Sequence, residues 1–367
     1  MPRPWETDPG RYAALLEEKC ARVRQSLRAL DPPPAAVYRS PAESYRVRAE
    51  FRLWHEGDAL DYVMFDPAAP RRPVRIADFA PALAPIRRLM GPLRACLAAN
   101  ETLRHKLFQA EFMASRQGEM LLTLIYHRAL DQSWQREASR LADTFKLHLI
   151  GRSRGQKRVL GQDFITDEFV VHERPYRYRQ YEQCFVQPNA AVNARMLAWA
   201  VEQSRACDGN LLELYCGNGN FTLPLAAHFD TVIATEVSKA GIKAARENLA
   251  DNAIHNVRVL RLSAAEVSSA LAGARQFRRL AVLDQPLEDY RLRSVLVDPP
   301  RAGLDPATLE CVRQFPSILY ISCNARTLKA NLEALHTTHR IAALAFFDQF
   351  PYTPHLECGV RLKRRRR

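Results

Sequence analysis

The sequence predicts an α/β fold: a mostly parallel sheet with helices on both faces in the second half, preceded by an α+β region built on hairpins. From about Gln187, short apolar runs at Asn210–Tyr215, Thr231–Glu236, Val257–Leu262, Ser294–Asp298 and Ile318–Ser322 are each followed by a helical or loop segment. Alternation of that kind makes a parallel sheet. Before Gln187 the apolar residues recur in steps of two and the chain turns back on itself. At 367 residues the chain also exceeds what one core usually organises. Two domains are expected, residues 1–180 and 181–367, with the break near 180–190.

The elements follow in order. Asp8-Pro9 sets a capping carboxylate before a proline, which predicts a helix running to about Leu30 and ended by Asp31-Pro-Pro-Pro34. Tyr45, Val47, Ala49, Phe51 and Leu53 then alternate with Arg46, Arg48, Glu50 and Arg52. This is a strand with one buried face and three arginines on the other. Beyond the turn at His55-Glu-Gly-Asp58, Leu60–Phe65 reads as its hairpin partner. A second helix is expected over about Pro81–Ala99, and a second hairpin at Phe108–Ser115 and Met120–Tyr126. A third helix covers about Asp131–Phe145, and one of the strands after it carries the basic stretch Arg152–Arg158.

Apolar residues at 47% and charged residues at 25% exclude wholesale disorder. No run approaches the roughly 18 apolar residues that cross a bilayer. The first residues, MPRPWETDPGRY, lack the order of a secretory signal, so a cytoplasmic protein is expected, with no membrane partner. Eight cysteines (20, 96, 184, 207, 216, 311, 323, 358) include no C-x-x-C pair. Neither a disulfide framework nor a zinc or iron–sulfur site is expected, and most read as small buried hydrophobes. The net charge of +13 divides into +8 over residues 1–180, zero over 181–362 and +5 in Lys363–Arg367. Basic ends on a neutral body suit a polyanion, although a solvated surface has the same composition. The tail reads either as non-specific attraction or as an unordered extension.

Four segments could carry chemistry. In Glu213-Leu-Tyr-Cys-Gly-Asn-Gly-Asn220, after a strand, Gly217 and Gly219 allow a sharp turn and close approach to a ligand. Glu236 ends the next strand, where a carboxylate can accept both hydroxyls of an adenosine ribose. The third glycine of a dinucleotide fingerprint is absent, since Thr222 and Leu223 stand there, so S-adenosylmethionine fits better than a nicotinamide cofactor. In Asp298-Pro-Pro-Arg301 a strand delivers an aspartate to the ligand-binding edge, and Arg301 stands where amino-methyltransferases place an aromatic residue. Cys323, after Ile318–Ser322, lies in the same row of strand ends, where a thiol can serve as nucleophile. His355 and Glu357, two apart, share one side of an extended segment, and either could be a base.

Together, Phe185-Val-Gln187-Pro-Asn189, Tyr215-Cys-Gly-Asn-Gly-Asn220, Asp298-Pro-Pro-Arg301, Ile321-Ser-Cys323-Asn324 and Pro354-His-Leu-Glu357 resemble the RNA uracil-5-methyltransferases. The likeness is greatest to the members that make ribothymidine in the tRNA T-loop. It extends into the front half, at Glu50-Phe-Arg-Leu-Trp-His55 and Phe65-Asp66. The resemblance implies a Rossmann-like S-adenosylmethionine-dependent methyltransferase domain after an α+β RNA-binding domain. It implies that Gln187, Tyr215, Gly217, Asn220, Glu236 and Asp298 hold the methyl donor, with Cys323 as nucleophile and Glu357 as general base. The ribosomal-RNA relatives carry an N-terminal β-barrel and a cysteine-ligated iron–sulfur cluster. This sequence shows neither pattern, which favours the T-arm of tRNA, or a tRNA-like RNA, as partner of a monomeric enzyme. Arg46, Arg48 and Arg52 are candidates for phosphate contacts, and Phe108 and His127 for stacking on displaced bases.

Overall fold

The structure is a computed structural model and describes residues 3, 5–66 and 69–365. Helix α1 (Tyr12–Leu27) and the short strand β1 (Ala36–Tyr38) come first. Then follow β2 (Arg48–Glu56), β3 (Ala59–Asp66), β4 (Ala69–Arg75), α2 (Ala84–Ala99), α3 (Glu101–Arg104), β5 (Leu107–Ala114) and β6 (Met120–Tyr126). After α4 (Gln132–Phe145) come β7 (His148–Ser153), β8 (Gln156–Leu160) and the hairpin β9 (Phe164–Val171) and β10 (Arg174–Tyr181). The remainder alternates: α5 (Ala190–Ser204), β11 (Asn210–Leu214), α6 (Thr222–Leu225), β12 (Val232–Thr235), α7 (Lys239–Asp251), β13 (Val257–Leu260), α8 (Ala264–Leu271) and β14 (Leu292–Val297). It closes with α9 (Pro306–Arg313), β15 (Ser317–Ser322), α10 (Ala325–His336), β16 (His339–Phe347) and β17 (Glu357–Arg364).

Eight strands form one sheet in the order β1-β16-β17-β15-β14-β11-β12-β13. All are parallel except β17, which runs against both its neighbours. Successive strand residues feed opposite cores: Leu212, Leu214, Val295 and Ile318 on one face, Leu211, Leu296 and Leu319 on the other. Burial on both faces explains why these strands read as apolar runs instead of alternating. A seven-stranded sheet, β4-β3-β2-β5-β6-β7-β8, is antiparallel except where α4 carries the chain across to set β7 parallel to β6. Its Ala49, Phe51 and Leu53 face a core shared with α2 and α4, which is the alternation expected of Tyr45–Leu53.

Some segments before residue 180 pack on the eight-stranded sheet. Helix α1 and β1 belong to the eight-stranded sheet: Leu16, Cys20 and Val23 join its core, and β1 pairs with β16. The hairpin β9–β10 also packs there, through Phe169, Val171, Tyr176 and Tyr178. The stretch from β2 to β8 builds a further core on the seven-stranded sheet, which β9 also meets where Ile165 packs with Met113, Leu121 and Ile150. Three smaller expectations are corrected. α1 begins at Tyr12 because Asp8 caps a turn, its Oδ1 accepting from the Arg11 amide at 3.2 Å. The basic stretch Arg152–Arg158 spans β7, a turn and β8, with Gly155 at φ +73°. In the basic tail, Lys363 and Arg364 are part of β17 and Arg365 donates to the His336 and His339 carbonyls, so these residues are not an unordered extension. Arg366 and Arg367 lie outside the described residues.

Candidate active site

Five neighbouring strands end in the residues that the sequence singles out. Reading across β17, β15, β14, β11 and β12, one edge of the sheet carries Glu357, Cys323, Asp298, Tyr215–Gly217 and Glu236. Because β17 is antiparallel, its first residue sits beside the last residues of its neighbour, with Ser322 paired to Cys358. Strand order reverses between β11 and β14, and open α/β sheets bind ligands outside the carboxyl ends of the strands at such a point.

The turn after β11 is held from below. Tyr215, Gly217 and Gly219 all have positive φ, at +64°, +57° and +85°. A non-glycine residue there costs on the order of 1 kcal/mol, a strain found at ligand sites. Glu236 fastens the turn: its Oε2 accepts from the Gly217 amide at 3.1 Å and its Oε1 from Val237 and Ser238 at 2.8 Å. A side chain at Gly241 would press on Glu236 Cγ at 3.0 Å and the Gly217 carbonyl at 3.1 Å. At Gly217 a Cβ would meet nothing within 4 Å, so the upper side of the turn is open to a ligand. Asn220 exchanges two amide hydrogen bonds with Asn193, at 2.9 and 3.0 Å, and its carbonyl accepts from the Tyr178 hydroxyl. Gln187, nearly buried, makes no hydrogen bond with any described residue, which leaves its amide free.

The other half of the edge is acidic. Burial, reinforced by the charge of Asp298, holds the Glu357 carboxyl well above the usual range. Asp298, half-buried, is raised by desolvation. Burial pushes the Cys323 thiol up to about 11, Glu357 and Asp298 push the same way, and Arg301 opposes them. These effects favour the protonated thiol in the free site at neutral pH. The two loops that present Asp298 and Cys323 are joined: Asn324, which caps α10, donates to the Arg301 carbonyl at 2.8 Å, and Thr327 donates to the same oxygen at 3.2 Å.

His355 and Glu357 do not share a face as the two-residue spacing suggests. The strand begins only at Glu357, so His355 lies in the preceding loop, exposed, while Glu357 is 3% exposed. Among the front-half residues, Arg48 is occupied: it pairs with Glu111 at 2.8 Å and Glu50 at 3.1 Å and donates to the Glu182 carbonyl. Arg46 is half-buried and donates to the Arg48 carbonyl. Arg52 is exposed and lies over Phe108, and Phe108 stacks on His127 with centroids 4.1 Å apart. Glu213, to which no sequence motif above assigns a role, is 1% exposed at the end of β11 with Oε2 unpartnered and its pKa raised to about 8 by burial. A lone acid inside the apolar run Leu211-Leu-Glu-Leu214 was the available signal.

Residues 11–365 match the family model described as tRNA (Uracil-5-)-methyltransferase. The tRNA/tmRNA (uracil-C(5))-methyltransferase of Aromatoleum aromaticum is 51% identical over 365 residues, covering 100% of this chain and 98% of its own. That of Dechloromonas aromatica is also 51% identical, covering 100% of both. The crystal structure of Pyrococcus abyssi tRNA (uracil-54, C5)-methyltransferase with S-adenosyl-L-homocysteine superposes with a TM-score of 0.72 at 20% identity. It covers 96% of this chain and 83% of its own, and so shares the fold. The chain belongs to the tRNA (uracil-5-)-methyltransferase family.

Proposed function

We propose that the protein transfers the methyl group of S-adenosylmethionine to carbon 5 of the T-loop uridine, position 54, of tRNA. The observation that carries this is the meeting of a thiol, Cys323, and a buried carboxyl, Glu357, on adjacent strand ends beside Asp298. Carbon 5 of uracil attacks a methyl sulfonium too slowly unaided. Addition of the Cys323 thiolate to carbon 6 turns the ring into an enolate and makes carbon 5 a carbanion equivalent. Carbon 5 then takes the methyl group, and S-adenosylhomocysteine leaves with the electron pair of the broken bond. Glu357 removes the hydrogen from carbon 5, the 5,6 double bond re-forms, and the thiolate is expelled.

Bound S-adenosylmethionine supplies an electrophilic methyl group on a cationic sulfur. The site suits a cation: Asp298, Glu213 and Glu357 crowd one edge, and each has its carboxyl pKa raised. Gln187, Tyr215, Gly217, Asn220, Glu236 and Asp298 would hold it, with the open side of Gly217 giving it room. Asn220 and Glu236 also fix the turn through bonds within the chain, and each keeps hydrogen-bonding capacity for the methyl donor: one Asn220 amide hydrogen and a remaining acceptor site on the Glu236 carboxylate. The relatives named for tmRNA as well as tRNA support a substrate range that includes tRNA-like RNAs with a T-loop.

The test uses T-arm transcripts of tRNA and tmRNA containing 5-fluorouridine, incubated with S-adenosylmethionine. Fluorine cannot leave as a proton does, so an RNA adduct on the Cys323 peptide, found by mass spectrometry and absent in Cys323→Ala, is expected. An unmodified Cys323 after such incubation overturns the mechanism. Methylation of unsubstituted transcripts at a position other than the T-loop uridine overturns the target.

A further inference from the structure

Residues 348–355, between β16 and β17, form no regular strand or helix, yet they end two residues before Glu357. This segment is gripped by α1, more than three hundred residues earlier in the chain. Lys19, 2% exposed, forms an ion pair with Asp348, 0% exposed. Its ammonium also donates to the Phe350 carbonyl at 3.1 Å and the His355 carbonyl at 3.2 Å. All three of its donor directions are thus used on one loop. One turn along α1, Arg22 donates to the Pro354 carbonyl at 2.6 Å. At the other end, Gln349 accepts from the Asn189 amide at 3.1 Å, and the Asp348 amide donates to the Tyr38 carbonyl at 3.0 Å.

A buried ion pair is a weak source of net stability, because desolvating two charges consumes most of their attraction. What this one does supply is position: it fixes three points along a loop that has no ladder of its own. We infer that Lys19 is a positioning residue for the reaction, holding the 348–355 segment so that the base at its end meets the hydrogen on carbon 5. The inference rests on the reading of Glu357 as that base. Cys323 sits on a different strand, so adduct formation and methyl transfer tolerate a looser loop better than proton removal does. The step that resolves the adduct is the one that Lys19 governs.

The test compares Lys19→Met/Asp348→Asn, in which no charge is left buried without a partner, with Arg22→Ala at the exposed end of the same grip and with Glu357→Gln. For the double variant we expect S-adenosylmethionine affinity and the KM for tRNA within about twofold of wild type, and kcat lower by about 10- to 100-fold. Covalent protein–RNA complex should accumulate during turnover. Arg22→Ala, which does not touch the core, should show the same pattern at a few-fold. If the double variant is too unstable to purify, Arg22→Ala alone decides, by the presence or absence of accumulated complex. Turnover at the wild-type rate, or slow turnover without accumulated complex, overturns the inference. If Glu357→Gln itself releases methylated RNA normally, the base reading fails. Accumulation in the Lys19 variant would then support the same loop positioning another base, and its absence would overturn both.

Discussion

The Arg52 guanidinium lies 3.7 Å from the centroid of the Phe108 ring. Phe108 in turn stacks on His127 with 28° between the ring planes, so the three form one layered column on the exposed side of the seven-stranded sheet. Rings so arranged leave little room for a base between them, but an outer face of the column can receive one. His127→Ala, which removes the outer ring of the column, should weaken tRNA binding by about 1–3 kcal/mol, the range of one base–aromatic stack, and leave S-adenosylmethionine binding unchanged. Filter binding with both ligands checks it, and equal weakening of both would mean a folding defect.

The arginines of β2 should separate in behaviour. Arg52 has no carboxylate partner among the described residues, whereas Arg48 is paired with Glu50 and Glu111. Arg52→Ala should lower the slope of log affinity against log salt by about one phosphate contact. Arg48→Ala should leave that slope nearly unchanged and lower Tm, because it strands Glu111. A salt titration of both variants decides, and a flattened slope in Arg48→Ala alone would reverse the assignment.

How far such distinctions can be read in sequence depends on how local they are. The alternation Tyr45–Leu53 and the apolar runs of β11, β14 and β15 are local consequences of burial on one face or on two. They alone place Cys323 and Asp298 at one edge of the sheet. β4 escapes because its residues, Ala-Pro-Arg-Arg-Pro-Val-Arg, are mostly exposed and carry two prolines, and the half-buried pair Pro73 and Val74 is too short to set a period. β1 escapes because three residues are too few to show one, and its partner β16 is some three hundred residues away. The same distance hides the role of Lys19, which looks like an ordinary surface lysine in a charged helix. Pairings such as Arg48–Glu111 and Phe108–His127 are fixed by register between strands, which no single segment encodes.

The Cys323 thiol should respond to the charge of the methyl donor. Burial, Glu357 and Asp298 hold it up to about 11, and a sulfonium placed at the Asp298 edge pulls the other way. An opposite charge within about 4–6 Å lowers a pKa by roughly 1–3 units. Alkylation of the Cys323 peptide, followed against pH by mass spectrometry, should therefore show a midpoint that falls with S-adenosylmethionine and falls less with the neutral S-adenosylhomocysteine. Arg301→Ala should raise the midpoint of the free protein. Identical midpoints with the two ligands would show that the sulfonium does not act on the thiol.

Glu357→Gln should keep the fold while losing release. Burial and the charge of Asp298 raise the carboxyl pKa in the free protein, so a neutral amide of the same shape fits the pocket. A carboxyl whose folded pKa lies above its unfolded one contributes stability that is lost as pH rises through the folded value. The variant should therefore match wild type at low pH and gain in Tm over it as pH rises. With tRNA and S-adenosylmethionine it should transfer one methyl group and then remain attached to the RNA in denaturing gels. Normal multiple turnover would show that another group takes the proton.

Glu213 gives the clearest titration of the site. It is 1% exposed, its Oε2 has no partner, and burial raises its pKa to about 8 from an ordinary 4.5, with the Asp298 charge adding to the rise and Thr222 opposing it. Between those two values the folded protein binds a proton that the unfolded chain has lost, so stability declines across pH 4.5–8 and levels off above. At about 1.4 kcal/mol per unit, that interval sets an upper bound of about 5 kcal/mol on the decline. Glu213→Gln removes this source of pH dependence. Its Tm should equal that of wild type near pH 4.5 and exceed it by several degrees at pH 8, as followed by circular dichroism. Bound S-adenosylmethionine, by bringing a positive charge to the neighbouring Asp298, should narrow the difference, because it stabilises the ionised carboxylate of the wild-type protein. A wild-type Tm that does not fall relative to Glu213→Gln across this interval would show that the carboxyl is ionised throughout and finds a partner in solution.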